Sequence, residues 1–94
     1  MTSYAKGVRT ERLARRQLEA TGNLVIRSAG SKGPFDLVAL GSNGVRFIQV
    51  RDDDVSNPAK DIMREEHAHL PRLPGVSYEL WERRNRTWVW QGPV

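Results

Sequence analysis

The chain has 94 residues, no cysteine and a formal net charge of +4. Such a length predicts one small domain over residues 1–94 with a modest core, and the lack of cysteine excludes a disulfide framework, a thiolate zinc site and a cysteine nucleophile. No apolar run is long enough for a membrane span or a signal peptide, so a soluble, cytoplasmic protein is expected.

The first predicted element is a helix over residues 4–21, which is rich in Ala, Leu, Arg and Glu and is followed by a Gly-Asn pair. Glu11 falls on the same helical face as Ala14 and Leu18, which places a carboxylate on the apolar stripe. A carboxylate in that position needs a partner or a metal to offset its desolvation. Two interpretations stay open: an acid of a metal site, or an acid at the edge of the stripe that pairs with Arg15 at i+4.

The basic residues are concentrated in the first third of the chain. Residues 1–32 hold seven Lys and Arg against two acidic residues, whereas the remainder holds eight basic and nine acidic residues. Twelve of the fifteen basic residues are Arg, which suits forked contacts to phosphate. This asymmetry indicates a surface that faces a polyanion such as nucleic acid, and the alternative is a solvated, Arg-rich helix.

The rest of the chain is predicted to form five strands and one further helix. The strands are predicted over residues 24–27, 35–40, 45–51, 76–83 and 87–91. Gly-Ser-Asn-Gly at residues 41–44 predicts a hairpin turn, and Pro58 begins a second helix that runs to about Leu70. The order α-β-β-β-α-β-β predicts an α/β fold in which a central mixed five-stranded sheet is flanked by helices.

The third predicted strand carries the most informative stretch, Gln49-Val50-Arg51. Side chains alternate along a strand, so Gln49 and Arg51 share one face. A turn of two or four residues pairs Asp36 with position 49 or 51 and brings the three side chains together, whereas a three-residue turn sends Asp36 to the opposite face. The Asn-Gly signal in the turn favours an even length.

These residue types are the ones that phosphodiester hydrolysis requires. A divalent cation neutralises developing charge and activates water, and magnesium prefers hard oxygen ligands. Asp36 offers a carboxylate, Gln49 an amide oxygen and Val50 its main-chain carbonyl, while Glu11 can hold a metal-bound water. The pattern therefore predicts a site for Mg²⁺ or Mn²⁺, without an organic cofactor.

Five stretches in the first half of the chain carry a family pattern: Lys6-Gly7, Glu11-Arg12, and residues 25–31, 34–39 and 47–51. Together they resemble the archaeal-type Holliday junction resolvases of the PD-(D/E)XK nuclease superfamily. The resemblance implies a restriction-endonuclease-like sandwich, a two-fold symmetric homodimer, magnesium or manganese, and paired nicks across four-way DNA junctions. It assigns Glu11, Asp36 and Gln49 to the acidic metal-site positions, Arg51 to the catalytic lysine and Ser31 to a serine of the active-site loop.

Two positions depart from the family pattern. Gln49 stands where the family has Glu, which keeps an oxygen ligand but removes a charge and weakens metal binding. Arg51 stands where the family has Lys; it cannot act as a base, although it can stabilise negative charge on phosphoryl oxygens. In an enzyme, water activation would then fall to the metal, helped by Glu11. Asp53 shares the parity of Gln49 and Arg51 and is a candidate for the missing carboxylate, but a weaker one, because three adjacent Asp residues at a strand end are more often a solvated turn.

Binding is predicted to be mainly to DNA phosphates, through Lys6, Arg9, Arg12, Arg27, Ser31 and Lys32. Besides a junction resolvase, three functions stay open. They are a weakened or inactive relative that binds branched DNA, a nuclease for other DNA structures, and a protein-interaction domain on which the basic helix is incidental.

Two features of the second half are predicted to be structural. His67 and His69 face different sides of a helix and are expected to be a surface pair rather than metal ligands. Trp88 and Trp90 have the same strand parity and are expected to share a face, in the core or at a dimer interface.

Overall fold

The structure is a computed structural model. It describes residues 3–28, 35–52 and 59–94, and all side chains among them except those of residues 3–7 and 59–63. The elements follow the predicted order: α1 (Ser3–Ala20), β1 (Leu24–Arg27), β2 (Leu37–Gly41), β3 (Gly44–Asp52), α2 (Ala59–Ala68), β4 (Val76–Arg84) and β5 (Thr87–Pro93). Neither helix, over its described residues, is both long and apolar enough to cross a membrane.

The strands form one mixed sheet in the order β1-β2-β3-β4-β5. β3 and β4 pair in parallel, and the other neighbours pair antiparallel. The chain passes from β3 to β4 through α2, because two parallel strands can be joined only by a crossover connection. β3 is therefore a central strand, which pairs with β2 as far as Ile48 and with β4 as far as Asp52.

α1 covers one face of the sheet. Ala14 and Leu18, four positions apart on one helical face, are fully buried against a core cluster of Val25, Leu37, Ala39, Ile48 and Trp81. The hydroxyl of Thr10 donates a hydrogen bond to Asp52 at the end of β3. This contact holds the first half of α1 over the carboxyl end of β3, where the candidate site lies.

The hairpin between β2 and β3 has a two-residue turn, because Gly41 pairs with Gly44. The prediction of an even turn is therefore confirmed. Gly44 has a φ of 123°, and a Cβ atom at this position would collide with the carbonyl of Gly75. Only glycine combines this backbone conformation with so close an approach of two main chains.

An irregularity in β5 overturns one prediction. Glu82 pairs with Trp90 but Arg83 pairs with Trp88, which leaves Val89 between two consecutive pairs as a β-bulge. Because successive residues of a strand point to opposite faces, the two tryptophans lie on opposite faces, and the prediction that they share one is wrong. Trp88 packs edge-on against Trp81 beneath α1, with ring centroids 5.6 Å apart.

α2 packs mainly against β4, on the face opposite α1. Its His67 is buried, whereas His69 is exposed, so the predicted surface pair is wrong. The His67 ring lies 5.2 Å from the ring of Phe35 and 6.2 Å from that of Tyr78. Because burial disfavours the charged imidazole, the pKa of His67 lies below its usual value.

Candidate metal and DNA site

Asp36 lies where β2 begins, beside the middle of β3. Its N–H donates to the carbonyl of Ile48 at 2.9 Å, and a carboxylate oxygen accepts the N–H of Val50 at 2.8 Å. The Val50 amide lies beyond the first residue of β2, so the Asp36 side chain accepts its hydrogen bond in place of a strand carbonyl. The N–H and C=O of one strand residue point to the same neighbouring strand, so the Val50 carbonyl points to the side on which Asp36 lies.

Gln49 and Arg51 flank Val50 and point to the face away from α1. The side chain of Val50 packs against the core beneath α1, and alternation sends its two neighbours the other way. The β2–β3 register ends where Leu37 pairs with Ile48, so Asp36, whose N–H also bonds Ile48, lies beside the Ile48–Val50 stretch that contains Gln49. Among the described residues, the buried Oε1 atom of Gln49 has no hydrogen-bond donor, which is costly unless a ligand binds it.

Glu11 reaches the same end of the sheet from α1. Its carboxylate accepts a hydrogen bond from Nε of Arg27 at 2.6 Å, with the acid 18% exposed and the arginine 50% exposed. The alternative that Glu11 pairs with Arg15 is wrong. Arg15 instead lies 3.6 Å from Glu19 in an exposed pair along α1.

Electrostatics distinguish Asp36 from an ordinary surface acid. Burial raises the pKa of its carboxyl group; the N–H of Val50 opposes this shift, the charge of Glu11 adds to it, and the charge of Arg27 opposes it. A carboxylate that has lost water and faces a second carboxylate is one that a bound cation stabilises. Asp36 is therefore the strongest candidate ligand in the site.

The donor set fits a hard divalent cation. The carboxylate of Asp36, the carbonyl of Val50 and Oε1 of Gln49 are all oxygen donors, which magnesium and manganese prefer. Within residues 3–28, 35–52 and 59–94, no group of three or more His, Cys, Asp or Glu side chains is arranged to hold a metal. A metal here would therefore depend on amide and main-chain oxygens as well as on Asp36.

A buried acid that sequence reasoning did not single out lies beside Arg51. Glu82 of β4 pairs in register with Arg51 of β3, so the two side chains leave the sheet on the same face. The Glu82 side chain is 3% exposed, and its Oε2 lies 3.3 Å from Arg84 in an ion pair without hydrogen-bond geometry. No sequence signal could have found this neighbour, because the pairing of β3 with β4 spans the whole α2 crossover.

The basic surface of α1 continues into the site. Arg9 and Arg12, two of the predicted phosphate contacts, are exposed on α1, and Arg27 is exposed on β1. Arg12, Arg15 and Arg27 line a pocket of about 190 Å³ together with Glu11. Arg15 was not predicted as a phosphate contact, although its i+3 spacing from Arg12 is a signal for a shared helical face.

Four predicted functional side chains lie outside the described part of the structure: Lys6, Ser31, Lys32 and Asp53. The roles given to them from the sequence therefore stay predictions. The described part of the site consists of Glu11, Arg27, Asp36 and residues 49–51.

A solved structure with a similar fold is that of Hjc, a Holliday junction resolvase from the archaeal hyperthermophile Archaeoglobus fulgidus. The TM-score is 0.59 at 24% sequence identity, over 88% of this chain and 69% of that chain. At this identity the similarity shows the fold: the chain has a restriction-endonuclease-like fold, and the resemblance to archaeal resolvases is confirmed at that level. No protein-family model and no curated protein sequence matches the chain.

Proposed function

We propose that this chain is a metal-dependent endonuclease that cuts branched DNA, and specifically a homodimeric Holliday junction resolvase that uses Mg²⁺ or Mn²⁺. One observation carries the proposal. At the start of β2, the desolvated carboxylate of Asp36 accepts a hydrogen bond from the N–H of Val50, and the preceding residue, Gln49, has a buried amide oxygen without a donor among the described residues. The fold shared with an archaeal resolvase supports the same assignment.

Asp36, Gln49 and the Val50 carbonyl would hold the metal, with Glu11 nearby. When bound, the ion would neutralise phosphate charge and lower the pKa of a coordinated water. Two contacts within the chain fix the carboxylates of this site. One Asp36 oxygen is fixed by the N–H of Val50, which orients the second oxygen, and the ion pair with Arg27 fixes Glu11.

Arg51 would act as an electrostatic stabiliser of the reacting phosphate. A guanidinium has five N–H donors and no acceptor, so Arg51 cannot take a proton from water. It can stabilise the negative charge that develops on the phosphoryl oxygens. Its neighbour in register, Glu82, supplies a negative charge beside it, which favours a defined position for the guanidinium.

Junction binding would use the arginine-rich surface of α1 and β1. Arg9, Arg12 and Arg27 are exposed on the side of the sheet that carries Glu11, and contacts to phosphates read shape rather than sequence. A four-way junction offers two equivalent strands to cut. A two-fold dimer offers two equivalent sites, one for each strand.

The test is cleavage of a labelled four-way junction in Mg²⁺ or Mn²⁺. We expect paired nicks from the wild type, and a rate at least about 100-fold lower for Asp36→Asn because the charged ligand is lost. Junction binding in Ca²⁺ should change less than about threefold, because the phosphate contacts remain. The matched control is Glu19→Gln, which removes an exposed carboxylate from the far half of α1 and should leave cleavage unchanged.

A second candidate is a junction-binding protein without catalysis. It is favoured by Gln49 and Arg51, which replace the acid and the lysine of the resolvase pattern. Binding without cutting in either metal would support it against the nuclease. Equal cutting of flaps or nicked duplexes would indicate a nuclease for other DNA structures, and failure to bind any DNA at low salt would indicate a protein-interaction domain.

A further inference from the structure

The sheet face opposite α1 carries two complete apolar rows between the β2–β3 hairpin and Phe35. The first row crosses β1 to β4 as Leu24, Leu40, Val45 and Val76, and the second crosses them as Ile26, Val38, Phe47 and Tyr78. These eight residues are called the open face below. The only polar atom that their side chains contain is the hydroxyl of Tyr78, which donates to the carbonyl of Pro71.

None of the eight residues is buried within the chain. Leu24 is 64% exposed, Ile26 is 50% exposed and Leu40 is 36% exposed. The same sheet face is closed nearer the site, where Leu80 is completely buried. The difference arises because α2 packs mainly on β4, and in the described part of the structure Leu24, Ile26 and Leu40 stay exposed.

The size of the open face is that of an interface core. Four strands at a spacing of about 4.8 Å make each row roughly 14 Å wide, before the side chains are added. Soluble monomers rarely expose contiguous apolar patches larger than a few hundred Å². A stable interface takes about 800 Å² from each partner and surrounds an apolar core with a polar rim, so the open face can supply the core.

We propose that two copies of this chain associate through their open faces. The inference rests on the proposed function, in which a dimer presents two sites, and it names the surface of that dimer. A second copy fits because the face is free of charged side chains although 28% of the chain is charged. A two-fold rotation therefore sets apolar rows on apolar rows without like-charge repulsion, whereas DNA or a highly charged protein would find no complementary charge.

Ring contacts connect the open face to the candidate site. Phe47 and Tyr78 of the open face stack on each other with centroids 5.6 Å apart. Both also contact the ring of Phe35, each at 5.7 Å, and Phe35 is the residue before Asp36. A partner that covers the open face would therefore also brace the segment that carries Asp36.

The test compares two glutamate substitutions on opposite edge strands by sedimentation velocity of the full chain. Ile26→Glu alters the open face, and Val89→Glu alters a similarly exposed position on β5, at 50% and 45% exposure. We expect a wild-type dimer whose dissociation constant rises at least about tenfold in Ile26→Glu and less than about twofold in Val89→Glu. Circular dichroism should show all three proteins equally folded; if Ile26→Glu is unfolded, Leu24→Glu, at a more exposed position of the same face, replaces it.

Two outcomes would overturn the inference. One is a wild type that stays monomeric up to about 100 µM, which is weaker than a specific dimer of this size should be. The other is a dimer that both substitutions weaken equally. Junction cleavage is measured on the same samples. A dimer that only Ile26→Glu dissociates supports the inference even when the wild type cuts no junction. The absence of cleavage would then count against the proposed nuclease activity and not against the dimer surface.

Discussion

Two carboxylate–arginine pairs of nearly equal length lie on different elements of the fold, one between α1 and β1 and the other between β3 and β4. Glu11 meets Arg27 at 2.6 Å beside the candidate site, and Glu79 meets Arg46 at 2.7 Å toward the β2–β3 hairpin. The Glu79 pair is complete. Arg46 binds through two nitrogens, and the carboxylate also accepts hydrogen bonds from Trp81 and from the hydroxyl of Ser77.

The surroundings of Glu79 and of Asp36 differ in how far hydrogen bonds compensate for the burial of the carboxylate. Burial alone would raise the pKa of Glu79, but the hydrogen bonds from Arg46 and its other donors outweigh it and hold the pKa below its usual value. At the site, burial dominates and the pKa of Asp36 is raised, while Oε1 of Gln49 has no donor among the described residues. A buried acceptor with a full set of donors stabilises the fold, whereas acceptors in excess of donors indicate a place for a ligand.

The largest effect is expected from removing the positive charge of the site. Arg51→Met should lower single-turnover cleavage of a labelled junction at least about 100-fold, equivalent to about 2.7 kcal/mol, because developing phosphoryl charge loses its stabiliser. Arg51→Lys keeps the charge and should remain within about tenfold of the wild type. A lysine variant faster than the wild type would instead identify the native chain as a weakened enzyme.

The second effect tests the ion pair between Glu79 and Arg46. Glu79→Gln should lower the free energy of unfolding by about 2 kcal/mol, because the partly buried charge of Arg46 loses its counterion. Urea denaturation measures this loss. Cleavage by the folded variant should stay within about twofold of the wild type, since the substitution lies away from the oxygen cluster. A Glu79→Gln variant that is fully stable but inactive would contradict a purely structural role for Glu79.

A smaller effect is expected from adding a carboxylate at position 49, where hydrogen-bond acceptors already outnumber donors. Gln49→Glu should tighten Mn²⁺ binding about tenfold, because a second charged oxygen joins Asp36. It should also lower the melting temperature of the metal-free protein, because two desolvated carboxylates repel. Calorimetric titration and thermal melting measure the two effects. The control is Gln17→Glu on exposed α1, and equal changes in both variants would contradict a metal position at Asp36.

The smallest effect is a pH dependence of stability with a defined sign. The pKa of Glu79 is lower in the folded chain than in the unfolded chain, so its stabilisation is present above about pH 4.3 and is lost as the pH falls through the folded pKa. The difference in melting temperature between the wild type and Glu79→Gln should therefore shrink between about pH 6 and pH 3. A difference that is constant over this range would contradict the lowered pKa.

The features that sequence reasoning predicted correctly depend on neighbours along the chain. The helical face of Ala14 and Leu18 follows from a period of 3.6 residues, and the turn signal at residues 41–44 sets the parity of the β2–β3 hairpin. The structure confirms the even turn, because Gly41 pairs with Gly44. Such patterns are local, so a single sequence carries them.

The features that were missed depend on packing between distant segments. Glu11 pairs with Arg27 across the α1–β1 interface rather than with Arg15 on its own helix, and the parallel pairing of β3 and β4 sets Glu82 in register with Arg51. The bulge at Val89 separates two tryptophans that strict alternation would place together. None of these contacts has a signature in the spacing of residues.

The sequence by itself determined which polar groups lie on β3 and beside the start of β2, because turn length and strand parity decide which side chains share a face. Only the tertiary structure decided which of those groups are satisfied. Glu79 has four donor atoms from three residues, whereas Gln49 Oε1 has none among the described residues. Solvation and donor supply depend on what the whole fold packs around each oxygen, and this difference separates a stabilising acid from a candidate site.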